Sequence, residues 1–231
     1  MRVVGVDGCP GGWVAISYDT DRRALTPRVH HSFAELLAAY PDAAAIGVDI
    51  PIGLAQGTPR DCDVEARRVL GPRRSSVFPA PDPRVIDAPT YEEASELSRS
   101  LTDKGISRQG FAIYAKVAEV NRVVTPEQQH RVFEVHPEVS FWALAGGRPM
   151  DHHKSTPEGY EERRELLASA FPMPIPTREE ARGLVRPAAP DDVLDAIVAV
   201  RTAQRHAEGQ AGRLPTDPPT DARGLRMEIV Y

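Results

Sequence analysis

Residues 3–16 read VVGVDGCPGGWVAI and residues 44–54 read AAIGVDIPIGL, and both stretches contain the tripeptide Gly-Val-Asp. The apolar run Val3–Val6 is typical of a buried strand, and the turn residues GCPGG separate it from a second strand-like run, which predicts a hairpin. The second stretch is apolar throughout, as strands buried on both faces of a parallel sheet are. We therefore predict two buried strands that each end in an aspartate, Asp7 and Asp49.

The segments around these two strands predict a mixed α/β fold. Residues 27–31 suggest a third strand, and Ser32 is placed to cap the helix that follows, with Glu35 in the capping-box position. Pro51 ends the Asp49 strand because proline cannot donate a further ladder hydrogen bond. Helical patterning then dominates, and the predicted helices span 61–70, 90–102, 108–121 and 157–170. A further strand is predicted over 131–139. The last predicted helix has Asp191 as its N-cap and ends at Gly209.

This element order indicates one domain, residues 1–231, with a helical insertion over roughly 54–130 after the fourth strand. A hairpin extended by parallel strands with helical crossovers forms a mixed sheet. The predicted fold class is accordingly α/β, with a mixed five-stranded sheet flanked by helices. The segment RGLRMEIVY at 223–231 could add a final short strand.

Composition narrows the classes of function. The chain has 231 residues and 41% hydrophobic content, which is enough for one core. Its net charge is −5, so the molecule as a whole lacks the basic surface of proteins that bind nucleic acid non-specifically. Its two cysteines, Cys9 and Cys62, have no metal-binding spacing and predict a reduced, intracellular protein. No signal-peptide pattern or membrane-length apolar run is visible, which predicts a cytoplasmic location without a membrane partner.

The two aspartates predict an acidic metal site. A right-handed crossover places the Asp49 strand parallel to the first strand, and neighbouring strands lie about 5 Å apart. Two carboxylates at that separation repel each other unless a cation neutralises them, and Mg²⁺ or Mn²⁺ suits oxygen ligands. Further acids that could complete the cluster are Glu134, Asp192 and Asp195.

Each acid also has an ordinary structural explanation. An aspartate at a strand end is usually a turn former, Asp191 is most simply an N-cap, and Asp192 is favoured in the first helical turn by the helix dipole. Asp195 lies deeper in the helix beside the apolar stripe and Glu134 lies in an apolar strand, so both need a partner if they are buried. The combination of acids therefore favours a site more strongly than any one of them does.

Six motifs along the chain resemble the Domain of Unknown Function 429 family, whose members are predicted ribonuclease H-like nucleases. The motifs are GVDGCPGGWV, GVDIPIGL, RRSSVFPAP, QGFAIYAKVAEV, FEVHPEVSFWAL and DDVLDAIVA. The resemblance implies a ribonuclease H-like fold with an acidic metal site, in which Asp7 is the first-strand acid and Asp49 the fourth-strand acid. The DxxDA pattern, Asp192 to Ala196, is similar to the pattern in the last helix of RuvC-type resolvases. This similarity implies that Asp192 and Asp195 take the positions of the carboxylates in that helix.

A loop rich in basic and hydroxyl side chains is a candidate for holding substrate phosphate. Arginine forks match phosphate oxygens and hydroxyls add donors, although a solvated loop explains the same residues equally well. The candidate residues are Arg73, Arg74, Ser75 and Ser76, with Lys116 as a more distant addition. His136 and Glu138 could tune the chemistry of the site, whereas DHHKST over 151–156 has no recognisable metal spacing and is interpreted as a mobile basic loop.

The leading hypothesis is a metal-dependent nuclease or phosphodiesterase that uses two Mg²⁺ or Mn²⁺ ions about 4 Å apart. Asp7 would bridge them, Asp49 with Asp192 or Asp195 would complete their shells, and Glu134 would be a ligand or lie beside one. Two other classes stay open. One is nucleotide binding or phosphotransfer of the actin or sugar-kinase type, and the other is a non-catalytic binding module on the same fold.

Overall fold

The computed structural model describes residues 1–231 and contains the mixed sheet that the sequence predicts. Its strand order is β3-β2-β1-β4-β5. The strands are β1 Arg2–Cys9, β2 Gly12–Asp19, β3 Ala24–His30, β4 Ala45–Val48 and β5 Val132–Glu134, and a separate two-stranded sheet contains β6 Arg213–Leu214 and β7 Ile229–Val230. β1 is antiparallel to β2 and parallel to β4, and β4 is parallel to β5. The predicted α/β class and five-stranded mixed sheet are confirmed.

Nine α-helices surround the sheet. They are α1 Phe33–Ala39, α2 Asp61–Leu70, α3 Tyr91–Thr102, α4 Arg108–Ala112, α5 Tyr114–Val123, α6 Pro137–Leu144, α7 Pro157–Ala170, α8 Arg178–Leu184 and α9 Pro190–Ala207. Two 3₁₀ helices, Gly71–Ser76 and Pro126–His130, join them. The segment between β4 and β5 thus contains four α-helices and both 3₁₀ helices. No helix combines the length and the apolar composition that a membrane span requires.

The sheet is covered by a different helix layer on each face. On one face, α9 packs against β1 and β4 in a core that includes Val14 and Phe133. On the other face, α1 and α5 pack over Trp13 and Val48. Alternate residues along each strand enter opposite cores, because successive side chains of a strand point to opposite faces. This explains why residues 3–6 of β1 and all of β4 are apolar.

Close packing of α9 on β1 requires glycine at position 5. A Cβ atom on Gly5 would lie 2.0 Å from the carbonyl oxygen of Ala196 and 2.3 Å from the backbone nitrogen of Val200. Gly47, its partner in β4, also lies under this helix. The glycine of each Gly-Val-Asp tripeptide, Gly5 or Gly47, therefore allows α9 to pack closely on the sheet near the ends of β1 and β4.

One local prediction, at the start of α9, needs revision. The N-cap of α9 is Ala189, with Pro190 in the first turn, and Asp192 accepts a hydrogen bond from the Ala189 backbone nitrogen at 2.8 Å. The prediction that Asp191 caps this helix is therefore wrong, because the N-cap lies two residues earlier and the helix begins at Pro190, whose fixed φ suits that position. The C-terminal segment does form a strand, β7, but it pairs with β6 outside the main sheet.

Candidate metal centre

The strand pairing and α9 bring three aspartates together. Val6 pairs with Val48 in the parallel register of β1 and β4, and the backbone nitrogen of Asp49 donates to the Val6 carbonyl at 2.9 Å. Asp7 and Asp49 consequently lie side by side, although only Asp49 follows the end of its strand, since β1 continues past Asp7 to Cys9. Asp195, in α9, completes a group in which one carboxylate oxygen from each residue lies within 4.8 Å of those from the other two.

The three carboxylates have few protein donors. Asp7 is 8% exposed and Asp195 is 1% exposed. The Gly8 backbone nitrogen donates to Asp7 Oδ1 at 2.6 Å, and the Lys154 ammonium donates to Asp195 Oδ2 at 2.6 Å. The Asp49 carboxylate accepts no hydrogen bond from the protein. Three acids therefore share one nearby ammonium.

Burial and mutual repulsion act together on these acids. The pKa of Asp7 is raised well above its usual value, first by burial and then by the charges of Asp49 and Asp195. Burial, with the charge of Asp195, raises the pKa of Asp49 to about 8. Burial also raises the pKa of Asp195, although Lys154 opposes that shift. A bound cation would relieve this repulsion, and an all-oxygen donor set fits Mg²⁺ or Mn²⁺.

Lys154 is a site residue that the sequence interpretation missed. Its ammonium lies 2.6 Å from Asp195 and 3.8 Å from Asp191, and the charge of Asp195 is the main cause of its raised pKa. Lys154 belongs to the DHHKST segment, for which the sequence predicts only a mobile basic loop. Lys154 and Asp195 are 41 residues apart, and nothing in the local spacing around Lys154 indicates the contact.

Glu134 has a different environment from the three aspartates. Its carboxylate accepts hydrogen bonds from the Ile52 backbone nitrogen at 2.7 Å and from both terminal nitrogens of Arg60 at 2.7 and 2.8 Å. Arg60 also binds Asp63, and although burial acts to lower the pKa of Arg60, these two carboxylates raise it. Glu134 lies in the same cavity as the aspartates, but both of its oxygens are held by this buried ion pair.

Asp192 lies near the three aspartates without joining them. Its side chain binds the Ala189 nitrogen, it does not line the cavity, and burial raises its pKa to about 6. Of the two aspartates in the DxxD pattern, Asp195 lies beside Asp7 and Asp49. Asp192 instead accepts a capping hydrogen bond at the start of α9.

The acidic group opens into a cavity of about 580 Å³. Its walls include the 3₁₀ helix Gly71–Ser76, parts of α4 and α5, the start of α6 and the loop that holds Lys154. Helices from the segment between β4 and β5 therefore form one side of the site.

The structure divides the predicted phosphate-binding residues. Arg73, Ser75, Ser76 and Lys116 line the cavity, whereas Arg74 is exposed and does not. The Arg73 guanidinium donates to the backbone carbonyls of Met150, at 2.8 Å, and Asp151. Lys116 donates to the Gly12 carbonyl and lies 4.4 Å from the centre of the Trp13 ring. Arg73 therefore also joins two loops, and Lys116 also covers the β1–β2 turn.

His136 and Glu138, at the start of α6, line the cavity with one unpartnered atom each. Glu138 is 7% exposed, and its Oε1 accepts hydrogen bonds from Arg163 at 2.5 and 3.0 Å, while Oε2 has no partner. His136 Nε2 lies 3.4 Å from the Ser76 carbonyl, and Nδ1 has no partner. Burial lowers the pKa of His136, so the neutral imidazole, with Nε2 protonated and Nδ1 an acceptor, fits this contact.

Comparison with known proteins identifies one family. Residues 5–220 match the family described as "Protein of unknown function (DUF429)". Neither the curated proteins nor the solved structures contain a match to the chain. The matched range contains all three clustered aspartates, Lys154 and every residue of the Glu134 ion pair.

Proposed function

This chain belongs to the DUF429 family, and we propose from the geometry of its site that it is a metal-dependent phosphodiesterase. The observation that carries the proposal is the convergence of Asp7, Asp49 and Asp195 within 4.8 Å inside a cavity. Three acids with so few protein donors suit a divalent cation. The sequence resemblance to ribonuclease H-like nucleases supports the same class of reaction.

Asp7, Asp49 and Asp195 would hold Mg²⁺ or Mn²⁺. When bound, such an ion neutralises charge on a phosphate group and lowers the pKa of water. Hydrolysis adds one water across a P–O bond. The water oxygen forms a new bond to phosphorus, the bond to the ester oxygen breaks, and that oxygen leaves with a proton.

Side chains of the cavity provide further functions that this reaction needs. Lys154 places an ammonium beside Asp195, where it can attract a phosphate oxygen and limit the negative charge of the acidic group. The Lys116 amine lies over the β1–β2 turn beside Gly8, at the same edge of the sheet. Glu134 and Arg60 hold the Ile52 backbone in place, so they would position the chain after Asp49 rather than touch the reacting atoms.

Two alternatives lead to different results in the same assays. A nucleotide-binding or phosphotransfer protein would bind ATP saturably without hydrolysing phosphodiesters. A non-catalytic binding module would bind no divalent cation. The leading hypothesis predicts that the protein binds nucleic acid or another phosphodiester. Comparing DNA, RNA and small esters as substrates tests which of these it binds.

Hydrolysis of bis(p-nitrophenyl) phosphate with Mn²⁺ tests the proposed reaction without assuming a natural substrate. We expect activity that chelation removes, and we expect Asp7→Asn or Asp49→Asn to lower kcat/KM by at least about 100-fold. Asp42→Asn is the matched control, because Asp42 is exposed and lies outside the cavity. Full activity in Asp7→Asn would overturn the assignment.

A further inference from the structure

The cavity around the acidic group has the size of a small-ligand site. Its volume of about 580 Å³ falls within the range of about 300–1,000 Å³ that small-molecule sites occupy. Interfaces specific for duplex DNA instead bury on the order of 1,000–2,500 Å² of protein surface and are strongly basic. The acidic group faces a walled cavity, and this geometry favours a compact substrate.

The cationic side chains of the cavity are too few and too occupied to follow a nucleic-acid backbone. Arg60 and Arg163 are committed to buried carboxylates, and Arg73 binds backbone carbonyls. Lys116 and Lys154 remain, each with one or more protein contacts already. Duplex binding depends on several phosphate contacts by lysine and arginine, so this arrangement suits one or two phosphate groups.

One wall carries an exposed aromatic ring. Phe78 is 38% exposed and lines the cavity. It is the aromatic member of a small set of large apolar side chains that the structure leaves exposed, and Val77 beside it is buried and anchors the loop. An exposed ring in a polar cavity is suited to stack on a planar heterocycle.

Two acceptors in the cavity have no donor. Glu138 Oε2 and His136 Nδ1 are both buried and unpartnered, and both side chains line the cavity. An unpaired buried acceptor costs free energy, so a ligand that brings hydroxyl donors gains by binding there. Gln109 and Ser75, which are exposed at the cavity and make no side-chain hydrogen bond, add further polar contacts.

We propose that the substrate of this site is a small nucleotide-like phosphate ester, with its phosphate at the acidic group, its sugar hydroxyls on the Glu138 side and its planar base against Phe78. This inference rests on the proposed phosphodiesterase function and specifies the substrate class for it. Mononucleotide esters and dinucleotides fit this description, and duplex nucleic acid does not.

Calorimetric titration of the full chain with Mn²⁺ present tests the assignment. The probes are the four 2′-deoxynucleoside 5′-monophosphates, 2-deoxyribose 5-phosphate, which lacks the base, and a 20-base-pair duplex. We expect the tightest nucleotide to bind at least tenfold more tightly than 2-deoxyribose 5-phosphate and more tightly than the duplex. The 2′,3′-dideoxy counterpart of that nucleotide, which lacks the 3′-hydroxyl, should bind about fivefold more weakly.

The Phe78→Leu variant separates stacking from the other contacts. It should weaken binding of the nucleotide about tenfold and leave binding of 2-deoxyribose 5-phosphate unchanged. Val64→Ala is the matched control, because Val64 is 54% exposed and lies away from the cavity. It should change neither affinity.

Failure of this inference and failure of the proposed function give different results. If Mn²⁺ binds and phosphodiesters are hydrolysed, but the duplex binds more tightly or the base adds no affinity, the substrate class is overturned and the function stands. Equal nucleotide affinities for Phe78→Leu and the unmodified chain would also overturn the substrate class. If Mn²⁺ does not bind at all, both proposals fall.

Discussion

The ammonium of Lys154 lies 2.6 Å from Oδ2 of Asp195, although the two residues are 41 positions apart in the chain. This contact joins the loop before α7 to the second turn of α9. Asp195 is 1% exposed, and a buried carboxylate without a counter-charge is strongly unfavourable. Lys154 therefore explains how Asp195 is tolerated beside Asp7 and Asp49.

Replacing Lys154 by methionine should destabilise the protein when a chelator is present. The change keeps most of the side-chain length but leaves Asp195 without its donor, which costs about 1–3 kcal/mol. Urea unfolding measures the loss, and Mn²⁺ should reverse most of it because the ion replaces the missing positive charge. Lys104→Met, at an exposed position outside the cavity, should be neutral. Equal loss in both variants would contradict the role assigned to Lys154.

Stability of the chelator-treated protein should fall as pH rises from about 5 to about 8. The folded-state pKa of Asp49 is about 8, against an ordinary value of 3.8, because of burial and the charge of Asp195. Between these values the folded protein retains a proton that the unfolded chain has lost, so higher pH favours unfolding. The slope should approach about 1.4 kcal/mol per pH unit for each such proton.

Urea unfolding at several pH values measures this slope, and Asp49→Asn should flatten it. Affinity for Mn²⁺ should change in the opposite sense and increase with pH, because binding of the ion displaces the retained protons. Stability that rises between pH 5 and pH 8 in the unmodified, chelator-treated protein would contradict the raised pKa.

The Arg60→Met variant should be strongly destabilised. Arg60 is 2% exposed and pairs with Glu134 and Asp63, so its removal leaves two buried carboxylates unpaired at a cost of about 3–5 kcal/mol. Arg68→Met, at an exposed position in the helix that follows Arg60, should change stability by less than about 0.5 kcal/mol. Thermal and urea unfolding report both. Comparable stability of the two variants would show that the Arg60 ion pairs contribute little.

A methyl group at position 5 should disrupt the contact between β1 and α9. The Cβ of Gly5→Ala would lie 2.0 Å from the Ala196 carbonyl oxygen, so the helix and the strand must separate. We expect this to lower the free energy of unfolding by about 1–3 kcal/mol or more. Gly183→Ala, in α8 with open space around the new Cβ, should stabilise by about 0.5–1 kcal/mol. A Gly5→Ala protein as stable as the unmodified chain would contradict the packing described for α9.

Sequence patterns predicted the sheet and two members of the acidic group because the signals were local. Strand periodicity and a turn identify β1 and the end of β4, and the crossover rule makes Asp7 and Asp49 neighbours. Asp195 was a candidate because no capping role explained a carboxylate beside an apolar stripe. The third strand, expected over 27–31, is longer in the structure and begins at Ala24.

The partners of buried charges could not be predicted in this way. The bonds of Arg60 to Glu134 and of Lys154 to Asp195 span 74 and 41 residues, and their geometry depends on how the loops fold over the sheet. Local sequence around Glu134 raises the need for a partner but does not identify it. The same holds for Asp192, whose bond to the Ala189 nitrogen depends on the residue at which α9 begins.

Calorimetric titration of the chelator-treated protein with Mn²⁺ tests the central claim most directly. The three-aspartate site predicts saturable binding that weakens at least tenfold in both Asp7→Asn and Asp49→Asn and is unchanged in Asp42→Asn. Absence of saturable binding, or equal affinity in the unmodified chain and both site variants, would contradict the assignment of Asp7, Asp49 and Asp195 as a metal centre.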